Sequence, residues 1–497
     1  MSDGGAARPS ANLGPPGDAA SGSATAEGPP VGKEPLFERA TRALREIAKP
    51  AFLLWVPGRI EFLGKHTDYA GGRSLVCPAD RGFALAVAPR TDDQLAVHDA
   101  RTAETAGCRL NRSAPLPAGH WSAYPATVAR RVARNFSGAR GADLAFASDL
   151  PPAAGMSSSS ALVVGTFLAL SAVNALPEQP AYRAAIRSPE DLAGYLGTIE
   201  NGESFPGGDR GDDGNRSDGG NRGDGDDRDD GTAALPGDRG VGTFGGSEDH
   251  TAMICGRPGA LVQYAYAPVR FERAVPLPED HVFVVADSGV VAEKTGAARE
   301  RYNSLSAMAA ALLRLWRADT GRDEATLAAA IASSPAAADR LRDIVAATVA
   351  QSAAAGFEPA PDTFTGAALS ARLEHFLLES GELVPAAGDA LARMDLPALG
   401  RIVDRSQAGA ERLLGNQVPE TVWLARRARE LGAVAASAFG AGFGGSVWAL
   451  AHTGAATELL GRWRDDYARA FPRRAARARF FISGAGRPAG VVPASAT

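Results

Sequence analysis

PGRIEFLGKHTDYAGG, residues 57–72, crowds Arg59, Glu61, Lys65, His66 and Asp68 between glycines, with Ile60, Phe62 and Leu63 interleaved. A surface loop has no need of those aliphatic residues, and a core strand does not tolerate so many charges. The stretch therefore reads as the end of a buried strand running into a loop, with something polar packed against it.

Around it, the spacing of Phe37, Ala40, Leu44 and Ile47 predicts a helix over 35–48 that opens the folded part. FALAVAPR and QLAVHD read as two strands joined by a short polar turn, and DLAFASDL (143–150) as another. PPAAG breaks that strand, and MSSSSALVVGTFLALSAVNAL reads as a largely buried helix. GALVQYAY and HVFVVADSG are strand-like. A mainly helical stretch from Ala298 to about Leu431 follows, and VAASAFGAGFGGSVWALAH (434–452) reads as strand, Gly-rich turn, strand. Strands and helices fall in blocks and do not alternate, so the class is α+β and not a doubly wound sheet.

The 497 residues suffice for two or more domains, and 45% hydrophobic with 22% charged residues is ordinary for a soluble globular protein. A formal net charge of −5 gives no global basic field for nucleic acid. Cys77, Cys108 and Cys255 lie far apart with no CxxC pair, which fits reduced thiols and a cytoplasmic protein. The longest apolar run, ALVVGTFLALSAV, is too short to span a bilayer. Residues 1–34, rich in Gly, Ala, Ser and Pro without the apolar core of a signal peptide, read as a disordered tail. A second block, 206–231, is nearly all Gly, Asp, Arg and Asn, and lacks the regular apolar position of calcium-binding repeats. It reads as a solvated insertion. The expected division is tail 1–34, first lobe 35–205, disordered insertion 206–239, and the rest of the core with a second lobe over 240–490.

Three Gly- or Ser-rich loops compete as phosphate sites. GRIEFLGKH fails as a Walker loop, because five residues separate Gly58 from Gly64 and His66 replaces the required hydroxyl. GAGFGG (440–445) fits GxGxxG, but the β-rich SVWALAH follows it where a dinucleotide fold needs a helix. PPAAGMSSSS (151–160) ends a strand and starts a helix, so unpaired N–H groups and the positive end of the helix dipole face the turn. Ala153, Ala154 and Gly155 keep its backbone bare, and Ser157, Ser158, Ser159 and Ser160 add hydroxyls for phosphate oxygens or a magnesium ion. One serine would suffice for a helix cap; four after small residues favour phosphate.

The charged loop, the Ser-rich helix start and the Gly-rich hairpin, in this order, resemble the three motifs of the GHMP kinases (galactokinase, homoserine, mevalonate and phosphomevalonate kinases). PGRIEFLGKHTDYAGG is most similar to the galactokinase form G-R-x-N-x-I-G-E-H-T-D-Y-x-x-G, LPPAAGMSSSSA to P-x-G-x-G-L-S-S-S-A, and FGAGFGGSVWAL to the glycine-rich third motif. GTFGGSEDH (242–250) resembles the segment C-G-I-M-D-Q. The resemblance spans roughly residues 50 to 450 and omits the tail and the insertion. It implies a two-lobed fold: an N-terminal mixed sheet with helices, like ribosomal protein S5, a C-terminal α+β lobe, and the active site between them. It implies ATP and Mg²⁺ as cofactors, and phosphorylation of the anomeric hydroxyl of a monosaccharide, galactose first. Another sugar (N-acetylgalactosamine, arabinose or a uronic acid) and a non-catalytic sugar and ATP sensor are the alternatives. The partners implied are a sugar and ATP, with no nucleic acid or membrane, in a monomer or weak dimer.

The resemblance gives the catalytic roles to Asp249, which would orient or deprotonate the hydroxyl, and Arg59, whose planar fork would serve Asp249 and the γ-phosphate. Asp249 could also be a helix cap, and Arg59 a surface ion pair, although its aliphatic neighbours argue for burial. Glu200 with Ser158 would hold the metal, the phosphate loop with Ala153, Gly155, Ser157, Ser158 and Ser159 would hold ATP, and His66, Asp68 and Tyr302 would contact the sugar. Two residues depart from the pattern. Lys65 stands where Glu usually contacts the primary-hydroxyl end of the sugar, and Glu61 replaces Asn. Lys65 either faces the sugar, where it would favour a carboxylate or phosphate, or pairs with Glu61 behind the loop.

Overall fold

The computed structural model describes residues 28–113, 115–117, 119–151, 154–207, 234–291, 296–354 and 364–493. Ala153, most of the expected tail and most of the expected insertion lie outside them. Twelve strands are described. They are β1 (Phe52–Leu63), β2 (Arg73–Pro89), β3 (Gln94–Asp99), β4 (Glu104–Arg109), β5 (Ala142–Ser148), β6 (Ala260–Ala265), β7 (Arg270–Pro276), β8 (His281–Asp287), β9 (Ala435–Ala438), β10 (Ser446–His452), β11 (Arg479–Ser483) and β12 (Gly490–Val492). Eight make a mixed sheet in the order β12-β1-β2-β5-β3-β4, with β6 also on β2 and β7 on β6. Its one parallel pair is β3 with β5. The other four form an antiparallel sheet, β11-β8-β10-β9. A mainly helical stretch runs from Gly296 to Glu430. The fold is α+β, as the blocks of the sequence predict.

β1 explains the opening stretch. Side chains alternate faces along a strand, and the even residues Leu54, Val56, Ile60 and Phe62 enter the main core. The odd residues Leu53 and Trp55 pack under the helix Glu34–Arg45 with Phe37, Ala40 and Leu44. That helix ends earlier than the spacing predicts, and Ile47, past its end, is exposed. Register with β2 shifts between Pro57 and Arg59, and the odd residues beyond, Arg59 and Glu61, meet loops instead of the helix. β1 thus lends a buried wall to a polar site.

The loop after β1 turns at Gly64, whose φ is +117° and where a Cβ would fall 2.5 Å from the Cα of Ser74, so glycine is required. The Ser-rich segment follows β5 and leads into the helix Ser158–Val173. Residue 165 of that helix is a glycine that lets it approach Val56 and Leu85 of the sheet. Two expectations of disorder are corrected at their edges. Lys33 Nζ sits 2.6 Å from Asp149. Residues 234–239 are tied down because Leu235 bridges Phe205 and Asp238 takes Arg130 Nε at 2.8 Å.

Candidate active site

Three elements converge on the odd face of β1. Arg59 Nη1 donates to the carbonyl of Gly155 at 2.5 Å, Glu61 Oε2 accepts from the N–H of Gly440 at 3.2 Å, and Ser446 Oγ donates to the carbonyl of Ala154 at 2.6 Å. The charged loop, the Ser-rich turn and the Gly-rich hairpin therefore form one site. A fourth element, the helix Glu248–Cys255, begins beside them and places Asp249 Oδ1 2.7 Å from Arg59 Nε. The Nε–H is not aligned on that oxygen, so the contact is a close ion pair and not a directed hydrogen bond. Burial alone would lower the guanidinium's pKa, but Asp249, Glu61 and Glu248 outweigh it and hold the pKa above its ordinary value.

Two cavities meet at this pair. The larger, about 1050 Å³, runs from Ser157, Ser158 and Ser159 past Gly155 to the aromatic residues Trp121, Tyr124 and Phe146. The smaller, about 40 Å³, is walled by Glu61, His66, Asp68, Glu200, Glu248 and Tyr302, among others. Arg59 and Ala441 line both. The larger cavity matches the roughly 300–1,000 Å³ of ordinary ligand sites. The smaller, at about 40 Å³, is far narrower than an ordinary ligand site.

The structure brings together Arg59, Asp249, His66, Asp68, Glu200 and Tyr302, and puts Gly155 and Ser157–Ser159 on the adjoining wall. Ser157 precedes the helix in the left-handed region, φ +60°. His66 is also left-handed, φ +57°, and both its ring nitrogens are used. Nε2 lies 3.0 Å from the carbonyl of Ala441, which can only accept, so Nε2 carries the proton and Nδ1 accepts from Tyr69 at 3.1 Å. The imidazole that the sequence points at the sugar is thus committed to the protein, with Tyr302 against its ring. Asp68 Oδ2 accepts the N–H of Glu248 at 3.2 Å. Tyr302 is half-buried near Asp68, Tyr69, Asp249 and Glu200, and desolvation first, then those charges, push its phenol well above its ordinary pKa, so it remains a neutral donor.

Two expectations are corrected. Lys65 does not wall the small cavity. It is 1% exposed, Nζ donates to Ser406 Oγ at 3.0 Å and lies 4.0 Å from Glu379 Oε1, which also accepts the N–H of Gly64 at 2.9 Å. A buried ammonium needs a buried anion, and Glu379 supplies it in place of either Glu61 or a substrate. Second, the hydroxyl that meets Glu200 belongs to Ser160 and not Ser158. Ser160 Oγ lies 2.9 Å from Glu200 Oε1 and 3.2 Å from Asp249 Oδ2, one proton between two carboxylates. Ser160 is the fourth serine of the run and faces inward, whereas Ser158 faces the larger cavity. Sequence reasoning counted Ser160 among the hydroxyls for phosphate or magnesium but paired Glu200 with Ser158, and it missed Glu248 and Glu379. Glu248 adjoins a residue it did name, but no local signal marks Glu379.

Family comparisons agree with this geometry. The galactokinase galactose-binding signature matches residues 45–89, the GHMP kinase N-terminal domain 123–203 and the GHMP kinase C-terminal domain 389–469. The chain belongs to the GHMP kinase family, on its galactokinase-like branch. This family member is 34% identical over 125 residues to a galactokinase of Actinobacillus succinogenes, covering 24% of this chain and 32% of the relative. It is 35% identical over 130 residues to one of Streptomyces coelicolor, covering 26% and 34%. The match thus spans about a third of each curated relative's length. Its fold superposes on that of Lactococcus lactis galactokinase complexed with galactose, with a TM-score of 0.67 at 18% identity over 91% of this chain and 98% of the other. Among the described residues no helix is long and apolar enough to cross a membrane.

Proposed function

We propose that this chain transfers the γ-phosphoryl group of ATP to the anomeric hydroxyl of a monosaccharide, with galactose the first candidate. The observation that carries this is the Arg59–Asp249 pair at the wall between the two cavities. ATP would occupy the larger cavity, its base against Trp121 and its phosphates at the start of the helix Ser158–Val173. There, unpaired N–H groups and the helix dipole favour negative charge. Gly155 and Ser157–Ser159 would cradle the phosphates. The sugar would enter from the smaller cavity, past Asp68 and Tyr302. Asp249 would take the hydroxyl proton, and the positive charge of Arg59 would stabilise the negative charge on the transferring group. Orientation by the ion pair supplies much of the rate, because little covalent chemistry falls to the protein.

Magnesium fits one carboxylate here. Glu200 is buried and, among the described residues, no Lys or Arg pairs with it, so a cation beside it would be neutralising. Magnesium is commonly held by one or two carboxylates together with substrate phosphates. Glu200 and a serine hydroxyl, Ser158 or the inward Ser160, would hold it. When bound, the ion neutralises charge on the phosphates. The uronic acid alternative loses its supporting cation, because Lys65 is turned to Ser406 and Glu379.

The test is direct. Purified full chain with ATP and magnesium should release ADP and form a sugar 1-phosphate from galactose or a near relative across a monosaccharide panel. Binding of ATP and sugar with no turnover for any member would overturn catalysis and leave a sensor.

A further inference from the structure

The small cavity holds more carboxylate than the family pattern asks for. Glu61 stands in place of Asn, and Glu248 in place of the Met of C-G-I-M-D-Q. Both line the cavity, and they are 3% and 6% exposed. Glu61 Oε2 has the Gly440 N–H, but Oε1 has no donor. Glu248 faces one cation, Arg59 Nε at 3.8 Å, and that guanidinium is already committed to Asp249 and to the Gly155 carbonyl. The other walls add Asp68, Glu200 and Asp249. His66 spends both ring nitrogens on Tyr69 and Ala441, and Lys65 is turned to Ser406 and Glu379. The space beside Glu61 and Glu248 therefore has a surplus of acceptors and a deficit of positive charge.

We propose that Glu61 and Glu248 form a recognition site for an ammonium group, so that the preferred substrate of this chain is an amino sugar with its amine free. The inference rests on the sugar-kinase reading above. An ammonium brings three donors and no lone pair, which is what buried carboxylates lack, whereas a hydroxyl brings acceptors as well. The cavity, about 40 Å³, has room for a small group such as an ammonium beside these walls. Without a cation, burial pushes both carboxyls above their ordinary range. Arg59, Lys65 and a hydrogen bond with the Glu248 carboxyl pull Glu61 down while Glu379 raises it, and Glu61, Asp68 and Asp249 raise Glu248 further against the pull of Arg59. The pair then retains a proton, which a substrate ammonium replaces. A carboxylate or phosphate on the sugar would be repelled.

The experiment compares galactose, its 2-amino-2-deoxy and 6-amino-6-deoxy forms, and N-acetylgalactosamine with purified full chain, ATP and magnesium. Two readouts are taken: kcat/KM, and thermal stabilisation by each sugar without turnover. One of the amino forms should exceed galactose about tenfold in both, and N-acetylation, which removes the charge, should abolish any 2-amino preference. Glu61→Gln and, separately, Glu248→Gln should cut the ratio of amino form to galactose about tenfold. A wild-type ratio near one for both amino forms, or a ratio unmoved in either folded variant, overturns the proposal. Galactose turnover without an amino preference sinks this inference and keeps the kinase. Stabilisation by an amino form that Glu61→Gln removes, with no turnover of any sugar, upholds the recognition site and sinks the kinase.

Discussion

The larger cavity is walled by Trp121, Tyr124 and Phe146 with Arg81, Arg101 and Arg299 at its polar edges, whereas the smaller is walled by Glu61, Asp68, Glu200, Glu248 and Asp249. Rings and cations suit a flat, anionic ligand, and carboxylates suit a ligand rich in donors. The difference also lies in how each wall is supported. The Ser-rich turn of the large cavity is local in sequence and offers backbone N–H groups. The small cavity hangs on contacts across hundreds of residues, such as Lys65 with Glu379 and Glu61 with Gly440. Both are tied across the chain, since Arg59 holds Gly155 and Ser446 holds Ala154, but the larger cavity draws its N–H groups from one motif and the smaller its carboxylates from scattered positions.

Four variants break or sharpen this contrast. Asp249→Asn should lower kcat for sugar phosphorylation by about 10²–10⁴-fold, the usual worth of a positioned proton acceptor. ATP affinity by calorimetry should hold, and an equal loss of ATP binding would show that the cavities are not separable. Lys65→Met should cost about 3–5 kcal/mol in urea unfolding, since it strands a buried carboxylate at Glu379. Adding Glu379→Leu should recover much of that loss, and a single-variant cost below about 1 kcal/mol would contradict a buried pair. Arg59→Lys should reduce kcat about 10²–10³-fold, because an ammonium cannot hold Gly155 and Asp249 together as the guanidinium does. Trp121→Ala should raise the KM for ATP by a factor corresponding to about 1–3 kcal/mol of lost stacking while leaving the KM for sugar alone. A shift in the sugar KM instead would move the base away from Trp121.

Much of the fold was legible because its signals are local. Alternation marks the strands, the Ser run sits at a strand-to-helix junction, and the glycines of 440–445 lie between β9 and β10 as a hairpin requires. The helix over 35–48 was found but overrun, since Ile47 fits the spacing yet lies past the last turn. The approach of the charged loop to the Ser-rich turn was legible only through the family resemblance. The destination of Lys65 was not legible at all. Glu379 lies in an irregular, wide-turned helical segment, Leu377–Leu383, and nothing in the residues around it signals an ion pair with a loop more than three hundred positions earlier. The pairing of Glu200 with Ser160 instead of Ser158 was hidden for a different reason. Four adjacent serines point in different directions once a helix starts, and only the start position, Ser158, decides which of them turns inward.

Arg59 is a party wall: one guanidinium borders both cavities. Whatever binds on one side changes the charge that the other side meets, so the two ligands cannot be thermodynamically independent. If nucleotide alters the affinity for sugar by some factor, sugar must alter the affinity for nucleotide by the same factor. That factor, measured in either direction by titrating one ligand in the presence of the other, reports how much of the positive charge on a single side chain each ligand claims.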